Sequence, residues 1–226
     1  MKYEQTLAYI LHTRPFKETS LIADVFTEKH GRLSIVIRGA KRSYKGKGLI
    51  QPFVLCTLEA VGKTELLTAT LLESSSQSCL ISGKKLLCGF YLNELLVKLL
   101  PKHDLCPELF HEYHKTLEAI GTQTEEALER ILRQFEYHLL KTLGYGIDLT
   151  KDAEGKMLEA HSFYQDNGHG FIKVSAEADG ILGKTLIDFR EARFAALDLK
   201  VIKSLLRQAL NRLLEGKTLH TRQLWI

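Results

Sequence analysis

The chain has 226 residues, of which 45% are hydrophobic and 26% are charged, which is the composition of an ordinary globular protein. This length can bury a substantial core without disulfides or metal, in one large domain or two small ones. The formal net charge is only +4. No apolar run approaches about 18 residues, which excludes a membrane-spanning helix.

Charge is distributed unevenly along the chain. Residues 1–48 contain ten Lys and Arg against four acids, whereas residues 103–136 contain eight acids against three basic groups. Residues 203–222 are basic again, with five basic groups against one acid. Basic segments that flank an acidic middle can present one basic face if they meet in the fold.

The first part of the chain has the pattern of β-structure. Short segments rich in β-branched or alternating residues are bounded by turn signals at 29–31 and 62–63. The predicted strands are residues 6–12, 20–26, 32–38, 54–61 and 64–71. Five strands in about 70 residues, with one long loop after the third, fit a small closed barrel of the OB type. An SH3-like barrel would show nearly the same pattern.

The loop after the third predicted strand, residues 38–47, is strongly basic and contains no acid. Its basic residues are Arg38, Lys41, Arg42, Lys45 and Lys47, and Tyr44 lies among them. Lys and Arg attract phosphates and release their counterions, and an exposed tyrosine ring can stack on any base. The loop therefore suits a nucleic-acid backbone with exposed bases, although a solvated loop without a ligand has the same composition.

A serine-rich linker is predicted at 74–78, after which the apolar period becomes helical. The predicted helices are residues 79–100, 105–120, 124–143 and about 198–215. The glycine-rich residues 147–193 are expected to form loops, a weak strand near 170–174 and a short helix near 185–192. The expected fold class is α+β: a five-stranded OB-type β-barrel domain over 1–77, then a mainly helical domain over 78–226 with a small irregular insertion.

Motifs of phosphate-binding and hydrolytic enzymes are missing. Gly-Lys-Thr occurs three times, but the upstream glycine of a phosphate-binding loop is absent each time. Those positions hold Thr57, Ala178 and Asn211. The nucleophile elbow and the zinc-protease helix motif are missing as well. No residue pattern argues for an enzyme.

Histidines and cysteines also fail to form a metal motif. His103, Cys106, His111 and His114 lie close in sequence, but no second ligand pair follows at zinc-finger spacing. We therefore expect no bound metal and no cofactor. The four cysteines occur in apolar contexts without a C-x-x-C pair, and the N-terminal residues lack a signal peptide pattern, so a reducing, cytoplasmic location is expected.

Several motifs resemble those of the RecO family of bacterial recombination mediators. The N-terminal ones are RPFKETSLI at 14–22, FTEKHGRL at 26–33, RGAKR at 38–42 and QPF at 51–53. The later ones are YLNEL at 91–95, PELF at 107–110, LRQFE at 132–136, LGYG at 143–146 and LHTRQL at 219–224. Each motif alone is weak, whereas their order and spacing over nearly the whole chain carry the resemblance.

The resemblance implies a mediator of DNA repair and homologous recombination that is not an enzyme. The family binds single- and double-stranded DNA, anneals complementary strands and, with RecR, helps to load RecA onto strands coated by single-stranded-DNA-binding protein. Some members hold zinc in the segment matching 147–180, where this chain has no cysteine, so 147–193 resembles a zinc-ribbon region without its ligands. The implied location is the bacterial cytoplasm, associated with the nucleoid and not with a membrane.

The resemblance also indicates candidate binding residues. The expected DNA-binding residues are Arg14, Lys17, Arg32, Arg38, Lys41, Arg42, Tyr44, Lys45, Lys47 and Arg222. A pocket of the helical domain is expected to accept the acidic, apolar-ended C-terminal tail of single-stranded-DNA-binding protein, since an arginine beside an apolar groove suits a terminal carboxylate. Its expected residues are Tyr91, Leu95, Leu132, Arg133 and Phe135. Arg133 could instead pair with Glu129 or Glu136.

Two other functions fit the same residues. Charge and stacking do not distinguish ribose from deoxyribose, so an RNA-binding OB-fold protein is one alternative. A non-enzymatic protein adaptor is the other, in which the basic loop meets acidic partners.

Overall fold

The computed structural model describes residues 2–41, 50–78, 81–176, 179–194 and 199–224. These residues form two compact units. The first unit contains the residues up to 128 together with those from 217 onward, and the second contains residues 129–216. The second unit is therefore inserted into the sequence of the first. The expected boundary between residues 77 and 78 stays a prediction.

The first unit is built around a five-stranded sheet. Its strands are β1 (Lys2–Phe16), β2 (Ser20–Thr27), β3 (Gly31–Ile37), β4 (Val54–Val61) and β5 (Leu66–Ser78). The sheet closes in the order β1-β2-β3-β5-β4, with β4 pairing back onto β1. All neighbours are antiparallel except β3 and β5, which are parallel. This closed five-stranded arrangement confirms the predicted OB-type sheet.

Side-chain alternation along the strands fills the inside of the barrel. Residues two apart point to the same face of a strand, so small and branched apolar residues alternate with outward-facing ones. The inward residues that are fully buried include Ala8, Ile10, Ala23, Val25, Leu33, Ile35, Cys56, Leu58, Ala60 and Leu67. The same alternation was the sequence signal for these strands.

The outer face of β1 and β2 also carries apolar residues, and two helices of the same unit cover it. These helices are α1 (Lys85–Leu99) and α2 (Pro107–Thr122). Tyr9 on β1 packs edge-on against Tyr113 of α2 at 5.2 Å between ring centroids, and Phe26 on β2 packs against Phe110 at 5.4 Å. Edge-to-face aromatic pairs of this kind stabilise beyond their buried area.

A buried polar network joins α1, α2 and the barrel. The side-chain amide of Asn93 donates to the carbonyl oxygen of Leu11 at 2.9 Å, and the hydroxyl of Tyr113 donates to Asn93 Oδ1. Buried polar groups are tolerated when they are paired in this way. The network orients both helices on β1.

The second unit combines helices with a small sheet. Its elements are α3 (Leu128–Thr142), β6 (Phe163–Asp166), β7 (Phe171–Val174), β8 (Ile181–Leu182), α4 (Gly183–Arg190) and α5 (Leu199–Leu214). The sheet has the order β7-β6-β8. The weak strand and the short helix expected in the insertion correspond to β7 and α4, while β6 and β8 were not predicted. Tyr164 and Phe171 fill the core beside this sheet.

Two sequence expectations need correction. Residues 74–78 are not a linker, because β5 continues to Ser78, with Ser74 opposite Cys56 and Ser78 opposite Val54. Pairing with β4 overrides the weak strand preference of a serine run. The first helix begins at Lys85 and not at 79.

Three of the four cysteines, Cys56, Cys88 and Cys106, are buried, as the sequence predicted, and Cys79 lies outside the described residues. No helix formed by the described residues is long and apolar enough to cross a membrane.

Candidate nucleic-acid interface

Basic residues gather at one end of the barrel, where the β1–β2 hairpin turns. Arg14 lies near the end of β1, opposite Ile22, and Lys17 occupies the turn with φ of 51°. A positive φ costs an L-residue other than glycine about 1–2 kcal/mol, so the turn needs support from its surroundings. The ammonium group of Lys17 lies 5.3 Å from the ring centroid of Phe16, which is a cation–π distance.

The support comes from the start of the basic loop. The backbone N–H of Lys41 donates to the carbonyl oxygen of Thr19 at 3.0 Å, and its ammonium group donates to the carbonyl oxygen of Lys17 at 2.9 Å. Arg38 follows β3 directly, and Ile37 at the end of β3 is opposite Leu21 near the start of β2. The loop therefore leaves the barrel beside the hairpin turn.

We define the barrel tip as the four cations Arg14, Lys17, Arg38 and Lys41. All four are exposed to solvent. The backbone of the hairpin turn is held by the two Lys41 hydrogen bonds, one of which uses the Lys41 ammonium group. Such a surface attracts phosphate, and contacts to phosphates carry no sequence information, so it favours binding that does not depend on sequence.

The other predicted loop residues lie outside the described residues. They are Arg42, Tyr44, Lys45 and Lys47. The chain reaches them directly after Lys41.

Arg32 is placed differently from the other predicted DNA-binding residues. Its Nε donates to the carbonyl oxygen of Leu100 at 2.8 Å, and its guanidinium group lies 3.6 Å from the carboxylate of Asp24. Burial lowers the pKa of Arg32, and Asp24 opposes this effect. Asp24 also accepts a hydrogen bond from Ser34 at 2.8 Å. These contacts hold Arg32 within the first unit, and we leave it out of the barrel tip.

Arg222 lies in a short 3-10 helix, His220–Leu224, and is half-buried. This helix is held by Glu94 of α1, whose carboxylate accepts hydrogen bonds from the backbone N–H groups of His220 and Thr221 at 2.8 and 2.9 Å. Arg222 is thus on a firmly anchored segment of the first unit.

The five residues predicted to receive an acidic tail are all buried. Tyr91 and Leu95 belong to the first unit, whereas Leu132, Arg133 and Phe135 belong to the second. Arg133 is 6% exposed, and its guanidinium group bonds the carboxylate of Glu136 at 2.7 Å. The pairing with Glu136 is one of the alternatives that the sequence allowed.

The described residues contain no group of three His, Cys, Asp or Glu side chains that could hold a metal ion. His114 bonds the hydroxyl of Tyr9 at 2.6 Å, and His111 bonds the carbonyl oxygen of Pro107 at 2.7 Å. In the insertion, Asp148 and Asp152 accept hydrogen bonds from backbone N–H groups of their own turns. These side chains stabilise the local structure through hydrogen bonds within the protein.

Sequence reasoning missed Thr19 and the stacking of Lys17 on Phe16. Thr19 acts through its backbone oxygen, which no residue pattern reveals. The Phe16–Lys17 contact follows from adjacent residues in a hairpin turn, and the gap between the first two predicted strands, residues 13–19, was the only available signal.

Comparison with known proteins identifies the relatives of this chain. Residues 1–77 match the family model "Recombination protein O N terminal", and residues 82–223 match "Recombination protein O C terminal". The chain is 38% identical to the DNA repair protein RecO of Methylococcus capsulatus, over 96% of this chain and 91% of that protein. It is 41% identical to the RecO proteins of Coxiella burnetii and Pseudomonas paraeruginosa, over 96% of this chain and 95% and 93% of theirs.

Proposed function

This chain belongs to the RecO family of DNA repair proteins, and from that premise we propose that it binds single- and double-stranded DNA through the barrel tip and the basic loop that follows. It works without catalysis in the bacterial cytoplasm, on the DNA of the nucleoid. It anneals complementary strands and, together with RecR, helps to load RecA onto strands coated by single-stranded-DNA-binding protein. The family membership supports these partners.

One observation carries the proposal for DNA binding. The two hydrogen bonds from Lys41 to the hairpin turn bring Arg14, Lys17, Arg38 and Lys41 to one end of the barrel. The basic residues 42–47 continue from the same point in sequence. A phosphate backbone that approaches this end would meet several cations at once and release their counterions.

Annealing needs no hydrolysis, so a protein without catalytic residues can perform it. Basic surfaces screen the repulsion between two phosphate backbones and raise the local concentration of strands. Base pairing alone then selects the complementary sequence.

We also propose that the chain accepts the acidic tail of single-stranded-DNA-binding protein in its helical part, as the family resemblance implies. Arg133 can receive a terminal carboxylate there only if its bond to Glu136 opens, because the pair is buried. Arg133→Ala is then expected to weaken binding of a tail peptide and to leave binding to naked DNA nearly intact.

The test of DNA binding replaces all four cations of the barrel tip with glutamine. Fluorescence anisotropy would measure affinity for single-stranded DNA, duplex DNA and RNA of the same sequence across a salt series. We expect weaker DNA binding regardless of sequence, and a salt slope that falls by about 0.7 for each single-strand phosphate that the protein no longer neutralises. A matched control replaces four exposed lysines of the same unit, Lys2, Lys63, Lys84 and Lys115, with glutamine.

An unchanged slope in the folded tip variant, or an equal loss in the control, would contradict the barrel tip as a DNA site. Tighter binding to RNA than to DNA would favour the RNA-binding alternative. If the wild-type protein binds no oligonucleotide at low salt, the adaptor function is favoured.

A further inference from the structure

Helix α5 of the second unit carries only positive charges. Its sixteen residues, Leu199–Leu214, include four basic side chains and no acid. Lys200, Lys203 and Arg207 are exposed, and their spacing of three and four residues places them along one stripe of the helix. We call these three residues the α5 basic face.

The opposite side of α5 explains why the helix is fixed in this orientation. Ile202, Leu205, Leu206 and Leu210 are at most 3% exposed and belong to the core of the second unit. Because these residues are buried, the helix cannot rotate to hide its cations. The α5 basic face therefore has a defined position and a defined line of charge.

The ion pairs of Lys203 and Arg212 on this helix differ in how exposed they are. Lys203 pairs with Glu129 at 3.4 Å, but both side chains are about half exposed, and an exposed pair of this kind contributes little to stability. Arg212, the fourth basic residue, is different, since it bonds Asp166 at 2.6 Å beside the small sheet. Acids in the first turn would stabilise a helix, yet the first turn of α5 has none.

The neighbours of the three cations indicate the kind of partner. Ser204 lies between them along the stripe and Asn211 continues it, both exposed and both able to form hydrogen bonds. Among the described residues, none of the large exposed hydrophobic side chains lies on α5. A peptide partner normally anchors through an apolar pocket, whereas a phosphate backbone needs only cations and hydrogen-bonding groups.

The length of the α5 basic face also matches the spacing of phosphates along a nucleic-acid strand. From Lys200 to Arg207 the helix rises about 10 Å. One strand of DNA carries a phosphate about every 3.4 Å of its axis, so this row spans the length of about three phosphates.

We propose that the α5 basic face binds the backbone of a second DNA strand, separately from the strand that the barrel tip binds. This inference rests on the proposed function, because it supplies the second of the two strands that annealing requires. The two sites lie in different units, so each can be removed without altering the other.

The experiment measures how many DNA strands bind to each protein chain. The variant Lys200→Gln/Lys203→Gln/Arg207→Gln is compared with the wild type in titrations with a short oligo-dT, and in annealing of complementary strands. Glutamine resembles lysine and arginine in helix propensity, so α5 should persist, as circular dichroism would verify. The control Lys151→Gln/Lys156→Gln/Lys173→Gln removes the same charge from exposed positions elsewhere in the second unit.

We expect the wild type and the control to bind two oligonucleotides per chain and the α5 variant to bind one. The α5 variant should also anneal about tenfold more slowly, because the second strand is no longer attracted to the protein. In addition, Glu129→Gln should tighten the second site at low salt, since it removes the acid beside Lys203. This second variant tests the site without removing any cation.

Several results would overturn the inference. One is a wild type that binds a single oligonucleotide, which contradicts the second site and leaves DNA binding by the barrel tip intact. Others are an α5 variant that still binds two or anneals at the wild-type rate, or Glu129→Gln without effect. If the α5 variant keeps its DNA binding but no longer binds a polyglutamate peptide that the wild type binds, the α5 basic face is a site for an acidic protein. A wild type that binds no DNA at all refutes the proposed function itself.

Discussion

The carbonyl oxygen of Asp104 lies 1.9 Å from the position that a Cβ atom on Gly31 would occupy. Gly31 begins β3 with a φ of +65°, and the backbone N–H of His103 donates to the carbonyl oxygen of Arg32 at 3.0 Å. The segment after α1 is thus packed directly on the β2–β3 turn. Only glycine leaves room for this approach, because it combines a positive φ with the absence of a side chain.

Gly31→Ala is therefore expected to destabilise the protein by about 4 kcal/mol, through the clash and the unfavourable φ together. Gly39→Ala is the matched control, because Gly39 has a φ of +68° but no atom of the described residues within 4 Å of the point where a Cβ would lie. That control should lose about 1–2 kcal/mol. Urea unfolding of both variants measures the difference, and equal losses would show that Asp104 is free to move away.

Stability should depend on pH through Glu94. Burial alone would raise the pKa of this carboxyl group, but hydrogen bonds from Thr221, Lys98 and His220 lower it to about 2. A lowered pKa stabilises the folded state above the ordinary value near 4.5, and this contribution is lost as the pH falls toward 2. Glu94→Gln should cost about 1–2 kcal/mol at pH 7 and much less at pH 2.

The control for this pH dependence is Glu65→Gln. Glu65 is paired with Lys102 at 3.4 Å, but its side chain is 79% exposed. Its replacement should change the free energy of unfolding little at any pH. A constant difference between Glu94→Gln and the wild type from pH 7 to pH 2 would contradict the role of the charged carboxylate.

The Arg133–Glu136 pair should be costly to break from one side. Arg133→Met leaves Glu136 buried without this cation, which is expected to cost about 3–5 kcal/mol. Arg133→Met/Glu136→Leu should recover most of that loss, because apolar residues of similar size can replace a buried ion pair. If Arg133→Met alone loses less than about 1 kcal/mol in urea unfolding, a strong contribution of Arg133 to this buried pair is contradicted.

Tyr44 offers a test that separates stacking from charge. Tyr44→Leu should weaken binding of single-stranded DNA by about 1–3 kcal/mol without changing the salt slope, because it removes a ring and no cation. Tyr44→Phe keeps the ring and should bind like the wild type. A Tyr44→Leu variant with wild-type affinity would remove Tyr44 from the proposed DNA site.

The insertion should fold without metal. Asp152 Oδ1 accepts hydrogen bonds from the backbone N–H groups of Glu154 and Lys156 at 3.0 and 2.9 Å, which closes its turn internally. We expect EDTA to leave the thermal unfolding midpoint unchanged and Asp152→Ala to cost about 1 kcal/mol. Asp152→Asn retains an acceptor oxygen and should cost less. Elemental analysis that finds about one zinc per chain would contradict this prediction.

Much of the fold could be predicted from the sequence, because short runs of β-branched or alternating residues bounded by turn signals indicate the barrel strands. The continuation of β5 to Ser78 could not, since a serine run carries no apolar alternation and its pairing depends on β4. Strands β6 and β8 are only four and two residues long, which is too short for a period to be recognised.

The candidate site was predictable in its residue types but not in its geometry. The charge pattern indicated Lys41 and Arg38, whereas the bonds from Lys41 to Lys17 and Thr19 involve backbone oxygens. Arg32 has the same charge as its neighbours, and only the cross-strand position of Asp24 reveals its structural contacts. The helical spacing of Arg133 allowed a pair with Glu129 or with Glu136, and the structure shows the pair with Glu136.

The return of residues 217–224 to α1 also affects the order in which the chain can fold during synthesis. Thr221 follows its partner Glu94 by 127 residues. At a translation rate of about 5–20 residues per second, roughly 6–25 seconds pass between the synthesis of the two residues. During this interval the ribosome makes the whole second unit. Helix α1 meanwhile lacks its contacts with residues 220 and 221. We expect the nascent first unit to be vulnerable to proteases and aggregation until residue 221 leaves the ribosome.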